Sequence, residues 1–131
     1  MPALHEPDCE TDELAHAVIG AAIEVHRHLG PGFLEGVYEE SLCVELRLRD
    51  IPFERQLPVK VEYKGSYVGE GRLDLLVGGR LIVELKAVRQ VAPIHKAVVV
   101  SYLKATGKNL ALLLNFNVPR LKDGVQRVVL S

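Results

Sequence analysis

The segment Arg72-Leu73-Asp74-Leu75-Leu76-Val77-Gly78-Gly79-Arg80-Leu81-Ile82-Val83-Glu84-Leu85-Lys86 constrains this chain more than any other. It reads as two apolar strands around a glycine turn, with Asp74 on the first strand and Glu84 and Lys86 on the second. Leu73, Leu75 and Val77 form one face of the first strand, and Leu81, Val83 and Leu85 one face of the second. A two-residue turn at Gly78-Gly79 would set Leu73 opposite Glu84 and mix core with polar faces. A three-residue connection, Gly78 to Arg80, instead pairs Val77 with Leu81, Leu75 with Val83 and Leu73 with Leu85. Register follows the hydrophobic pattern, which favours the second arrangement.

That register sets Asp74 opposite Glu84 and Arg72 opposite Lys86. Directly opposed residues have Cβ atoms about 4.5–5.5 Å apart, and like charges there are destabilising. Two such carboxylates raise each other's pKa unless a cation or donor lies between them. A divalent ion with oxygen ligands removes the penalty, and Mg2+ suits a site of one or two carboxylates completed by waters and phosphate oxygens. The competing reading is a solvated face on which Lys86 and Arg72 neutralise the two acids.

At 131 residues the chain is expected to be one domain, residues 12–131, behind a flexible stretch at 1–11. Hydrophobic residues make up 48% and charged ones 25%, a globular rather than disordered balance. Cys9 and Cys43 suggest neither a disulfide framework nor a zinc site, and Cys43 reads as a small buried hydrophobe. No leader-like apolar core and no membrane-length apolar run is visible, so the expected location is the cytoplasm. A net charge of −1 argues against a strongly basic nucleic-acid clamp but leaves room for a local basic groove.

The expected elements run α-α-β-β-β-α-β-β, an α/β (α+β) arrangement with a mixed central sheet flanked by helices. The first helix is capped by Thr11 or Asp12 and runs to about Leu29, with Leu14, Ala17, Val18, Ala21, Ala22 and Val25 as its stripe. Gly30-Pro31-Gly32 stops it. The second runs from Leu34 or Glu35 to about Arg49, burying some of Val37, Leu42, Val44, Leu46 and Leu48. Strands follow at Val59 to Tyr63, Tyr67 to Val77 and Leu81 to Ala87. Pro93 opens a third helix over Ile94 to Ala105, Leu110 to Phe116 reads as a doubly covered strand, and Val125 to Leu130 ends the sheet.

Other residues offer chemistry. Glu35 and Glu39 share one face at the start of the second helix, where acids also suit the helix dipole. Tyr38 reads as core or site, and His95 and Tyr102 share a face of the third helix with Val98 or Val99. Glu24, His26 and His28 read as the solvent side of the first helix. Gly65, Gly69 and Gly71 do not form a phosphate loop, and no nucleophile elbow is present.

Taken together, Gly32-Phe33-Leu34-Glu35-Gly36-Val37-Tyr38, Glu45 to Arg49, Tyr63-Lys64-Gly65, Asp74…Glu84-Leu85-Lys86, His95-Lys96-Ala97 and Asn115 to Pro119 resemble the GxxExxY proteins of the PD-(D/E)xK nuclease-like superfamily. The resemblance covers about Asp12 to Leu130 and implies a restriction-endonuclease-like core. It implies that Asp74 and Glu84 hold a divalent metal, Mg2+ or Mn2+, and that Lys86 positions water and stabilises charge on phosphate. Glu35 would complete the site, with Glu39 second, and Tyr38, His95, Tyr102 and Arg72 would line the substrate side. The implied reaction is metal-assisted hydrolysis of nucleic-acid phosphodiesters, DNA first. One departure is Val98, which stands one turn before Tyr102 where related members often carry glutamine. The Val98-Val99-Val100 run reads as deeper burial or a homodimer contact. A catalytically silent nuclease-fold module, binding nucleic acid or protein, is the alternative.

Overall fold

The structure is a computed structural model that describes residues 8–130. Among these the chain forms three α-helices, five strands and a short 3-10 turn at Leu121–Gly124. The order is α1 (Cys9–Leu29), α2 (Glu35–Leu48), β1 (Phe53–Tyr63), β2 (Ser66–Val77), β3 (Leu81–Lys86), α3 (Pro93–Thr106), β4 (Leu110–Asn115) and β5 (Val125–Val129). The strands lie in sequence order in one sheet, antiparallel except for the β3–β4 pair. That parallel pair needs a crossover, and α3 supplies it.

Helix α1 begins earlier than Thr11 because Asp8 is the cap, its Oδ1 accepting from the Thr11 N–H at 2.8 Å. Thr11 is thereby buried as a first-turn residue. Part of the stretch expected to be flexible is helix, while residues 1–7 lie outside the described ones. The buried stripe is Ala15, Val18, Ala21, Ala22 and Val25. His26 joins them rather than the solvent side: its Nε2 donates to the Val118 carbonyl at 2.9 Å, tying α1 to the tail after β4.

Helix α2 buries Tyr38, Glu39, Leu42, Cys43 and Leu46. Leu42 and Leu46 face inward as expected, whereas Val37, Val44 and Leu48 are exposed. Those three recur with Ser41 at helical spacing and form the opposite face. The turn into α2 is fixed by Tyr38, whose hydroxyl donates to the Gly30 carbonyl and accepts from Phe33 N–H. Its ring stacks on Phe116 at 4.6 Å.

Strand β1 starts at Phe53, six residues before the expected Val59. Pro58 does not stop it because β1 is an edge strand, where a missing N–H costs little. The β2–β3 register is Leu75↔Val83, Leu76↔Ile82 and Val77↔Leu81, as the apolar pattern demands. Leu75 and Val77 pack with α1 and α2, but Leu73 packs with Val59, Leu76 and Val99 on the α3 side. The expected single face of Leu73, Leu75 and Val77 therefore breaks at Asp74. Strand β4 is covered on both sides: Leu110, Leu112 and Leu114 by α1 and α2, Ala111 and Leu113 on the α3 side.

Candidate functional site

Asp74 interrupts the sheet on both sides. The β1–β2 ladder passes from Arg55↔Leu75 to Leu57↔Leu73 without pairing Gln56 to Asp74. The β2–β3 ladder stops at Leu75↔Val83, so it does not reach Leu73↔Leu85 or bring Arg72 opposite Lys86. Arg72 is instead paired to Pro58, and its N–H points to the Tyr102 hydroxyl at 3.4 Å. A strand whose ladder stops must satisfy its backbone otherwise.

Here the two acids do so. Asp74 N–H donates to Glu84 Oε1 at 3.1 Å, and Leu85 N–H donates to Asp74 Oδ2 at 2.9 Å. The carboxylates thus replace main-chain carbonyls and are drawn together between β2 and β3. The competing reading of a solvated face fails at Glu84, which is 6% exposed beside Leu76 and Ile82 of the α3-side core, while Asp74 and Lys86 are half-buried and Arg72 is exposed.

Burial raises the pKa of both acids. Glu84 is pushed up to about 8, first by desolvation and then by the Asp74 charge. Asp74 is raised chiefly by desolvation, against the lowering effect of the Leu85 N–H. Glu35, half-buried at the start of α2, is raised by burial and then by Asp74. Lys86 acts on all three acids in the opposite sense. The sequence-predicted acids and lysine therefore share one electrostatic neighbourhood.

Glu39 is nearby but engaged. Its Oε2 accepts from Arg55 Nε at 2.7 Å, and both its oxygens lie 3.1 Å from Gln56 Nε2. Tyr38 is fully buried and holds backbone, so its hydroxyl serves the fold. His95 accepts the Ala92 N–H on Nδ1 at 3.0 Å and closes the start of α3. Tyr102 packs on Gly71, where an added Cβ would stand 2.6 Å from Tyr102 Cε1. Val98 is 40% exposed, Val99 is buried and Val100 packs partly buried against the same core, so deeper burial applies to the run except at Val98.

Arg55 and Gln56, not singled out in the sequence, and Asn115, named there only within the motif Asn115 to Pro119, shape the site. Arg55 and Gln56 hold Glu39, and Gln56 does so from a left-handed backbone with φ 54. Asn115, buried beside Lys86 in register, brackets Val88: Oδ1 accepts the Val88 N–H at 3.0 Å and Nδ2 donates to its carbonyl at 2.9 Å. That fixes the chain leaving Lys86. The sequence signal was an asparagine inside the apolar run Leu110 to Phe116; its burial and its hold on Val88 are seen only in the fold.

Among the described residues no group of three or more His, Cys, Asp and Glu side chains is gathered closely enough to cage an ion. The donor set nevertheless fits a hard cation. Asp74 Oδ1 and Glu84 Oε2 lie outside the two backbone bonds, and a pair of carboxylates completed by water is what Mg2+ accepts. Among the described residues no helix is long and apolar enough to cross a membrane.

The sequence matches the family profile described as PD-(D/E)XK nuclease superfamily over residues 12–128. No curated protein and no solved structure matched the chain. A mixed five-stranded sheet with flanking helices, and a profile match spanning nearly the whole chain, establish that it belongs to the PD-(D/E)XK nuclease superfamily.

Proposed function

We propose that this protein is a Mg2+- or Mn2+-dependent nuclease that hydrolyses nucleic-acid phosphodiester bonds, with DNA the first substrate to test. The observation that carries the reading is the Asp74–Glu84 pair, a half-buried and a buried acid held together by backbone donors, both with raised pKa values. Perturbed acids gathered beside a lysine suit charge chemistry better than stability.

Asp74 and Glu84 would hold the metal, and Glu35, which feels the Asp74 charge but is not gathered with the pair into a three-acid cage, would complete the site from α2. When bound, such an ion polarises phosphate and lowers the pKa of an attacking water. On taking up the ion, Glu84 would release the proton that a pKa pushed up to about 8 lets it hold near neutral pH. Lys86 brings the positive charge of the set, and its ammonium donates to phosphate oxygens as negative charge grows there. The Asn115 bracket on Val88 keeps the chain after Lys86 from swinging away.

Single- and double-stranded DNA incubated with purified protein and Mg2+ or Mn2+ should be cut. Cleavage should disappear in Asp74→Ala and Glu84→Ala. Absence of cleavage by the wild type, or equal cleavage by the variants, overturns the catalytic reading. Salt-dependent binding without cleavage would identify a silent nucleic-acid-binding module.

A further inference from the structure

We propose that Arg55, Gln56 and Glu39 form a clamp that sets the distance between helix α2 and Asp74, making Gln56 and Glu39 positioning residues of the metal site. This rests on the metal reading of Asp74, Glu84 and Glu35 above. The clamp spans two elements that the ladder does not join. Glu39 lies on α2, one turn after Glu35, so whatever fixes Glu39 fixes the height and rotation of Glu35. Gln56 lies on β1 directly across from Asp74, at the rung where neither residue pairs with the other.

The contacts are specific. Arg55 Nε donates to Glu39 Oε2 at 2.7 Å, while Arg55 NH1 donates to Glu40 Oε2 at 2.6 Å. Gln56 Nε2 lies 3.1 Å from each Glu39 oxygen. Glu39 is 6% exposed, and an acid buried so deeply is retained only when its bonds are made. With both oxygens engaged by Arg55 and Gln56, Glu39 suits a tether better than a ligand, and Glu35 is an acid on this helix without such contacts to β1.

The backbone supports the same reading. Gln56 adopts φ 54, a conformation that glycine or asparagine takes at lower cost. A glutamine held there exchanges local backbone comfort for the reach of its amide, and such exchanges gather at functional sites. The same rung is where β1 and β2 side chains change sides: Phe53 packs towards α1 and α2, Leu57 towards α3.

The test is a Mn2+ titration of the full-length protein, followed by the paramagnetic resonance of free Mn2+, with Asp74→Ala defining the site. Gln56→Gly accepts the left-handed backbone and keeps every charge, but removes the amide. Gln56→Asn also tolerates that backbone and is too short to reach Glu39. Both should keep a wild-type circular dichroism spectrum and bind Mn2+ about 10-fold more weakly, the usual effect of losing a group that orients a ligand. Glu39→Gln, which also removes a charge, should weaken binding at least as much. Wild-type affinity in folded Gln56→Gly and Gln56→Asn overturns the clamp and leaves the metal site standing. Wild-type binding that is absent, or unchanged in Asp74→Ala, overturns both.

Discussion

Asp74 and Glu84 are joined by a reciprocal exchange: the N–H of Asp74 ends on Glu84, and the N–H of Leu85, the residue after Glu84, ends on Asp74. The sheet continues through side chains where its main-chain ladder stops. Both acids are thus fixed by the fold itself, at the cost of pressing two ionisable groups together out of water.

That pair makes stability depend on pH. The Glu84 carboxyl rises from an ordinary 4.5 to about 8 on folding, so the folded protein holds its proton more tightly than the unfolded chain. The resulting stability is complete below about pH 4.5 and is lost as pH climbs through about 8; Asp74, also raised, acts in the same sense. In chelator-treated protein, Glu84→Gln should melt above the wild type by about 5 °C or more near pH 9, with the gap closing near pH 5. A constant gap across thermal melts at both pH values would refute this.

Glu35 should behave as a site residue whose loss spares the fold. It is half-buried and repelled by Asp74. Glu35→Gln should lower the cleavage rate about 10- to 100-fold while leaving the urea midpoint unchanged or raised. A variant with full activity would remove Glu35 from the site.

Tyr38 should show the opposite pattern. Tyr38→Phe keeps the stack on Phe116 but strands the Phe33 N–H and the Gly30 carbonyl. A loss of about 1–3 kcal/mol is expected in urea unfolding, with Mn2+ affinity of the folded protein little changed.

Gly124 supports Lys86 from a distance. A Cβ at Gly124 would meet the Asn115 carbonyl oxygen, and that backbone cannot withdraw without moving the residue that brackets Val88. Gly124→Ala should cost about 2–3 kcal/mol in chemical denaturation and lower cleavage as well. Wild-type stability would show that the 3-10 turn yields instead.

The hairpin was legible because alternation fixes register, and register brought Asp74 to Glu84 once Leu75 met Val83. Leu73 lies on the other face for a physical reason: alternation assumes an unbroken strand, and β2 loses its alternation at Asp74, the rung facing the left-handed Gln56 of β1. Pro58 and Gln56 concealed the first half of β1, since neither favours a central strand. Glu39 and Arg55 are 16 residues apart, and nothing local announces their pairing. His26 misled because a histidine on a helix is as readily a backbone donor inside as a charge outside.

The exchange between the acids also gives the protein two internal reporters. The amide protons of Asp74 and Leu85 end on carboxylate oxygens, whereas those of Leu76 and Ile82, one rung into the ladder, lie in ordinary sheet. In a nitrogen–proton NMR spectrum the first two resonances should move when the pair gains or loses a proton or takes up a cation. Their neighbours in the sheet should hold still.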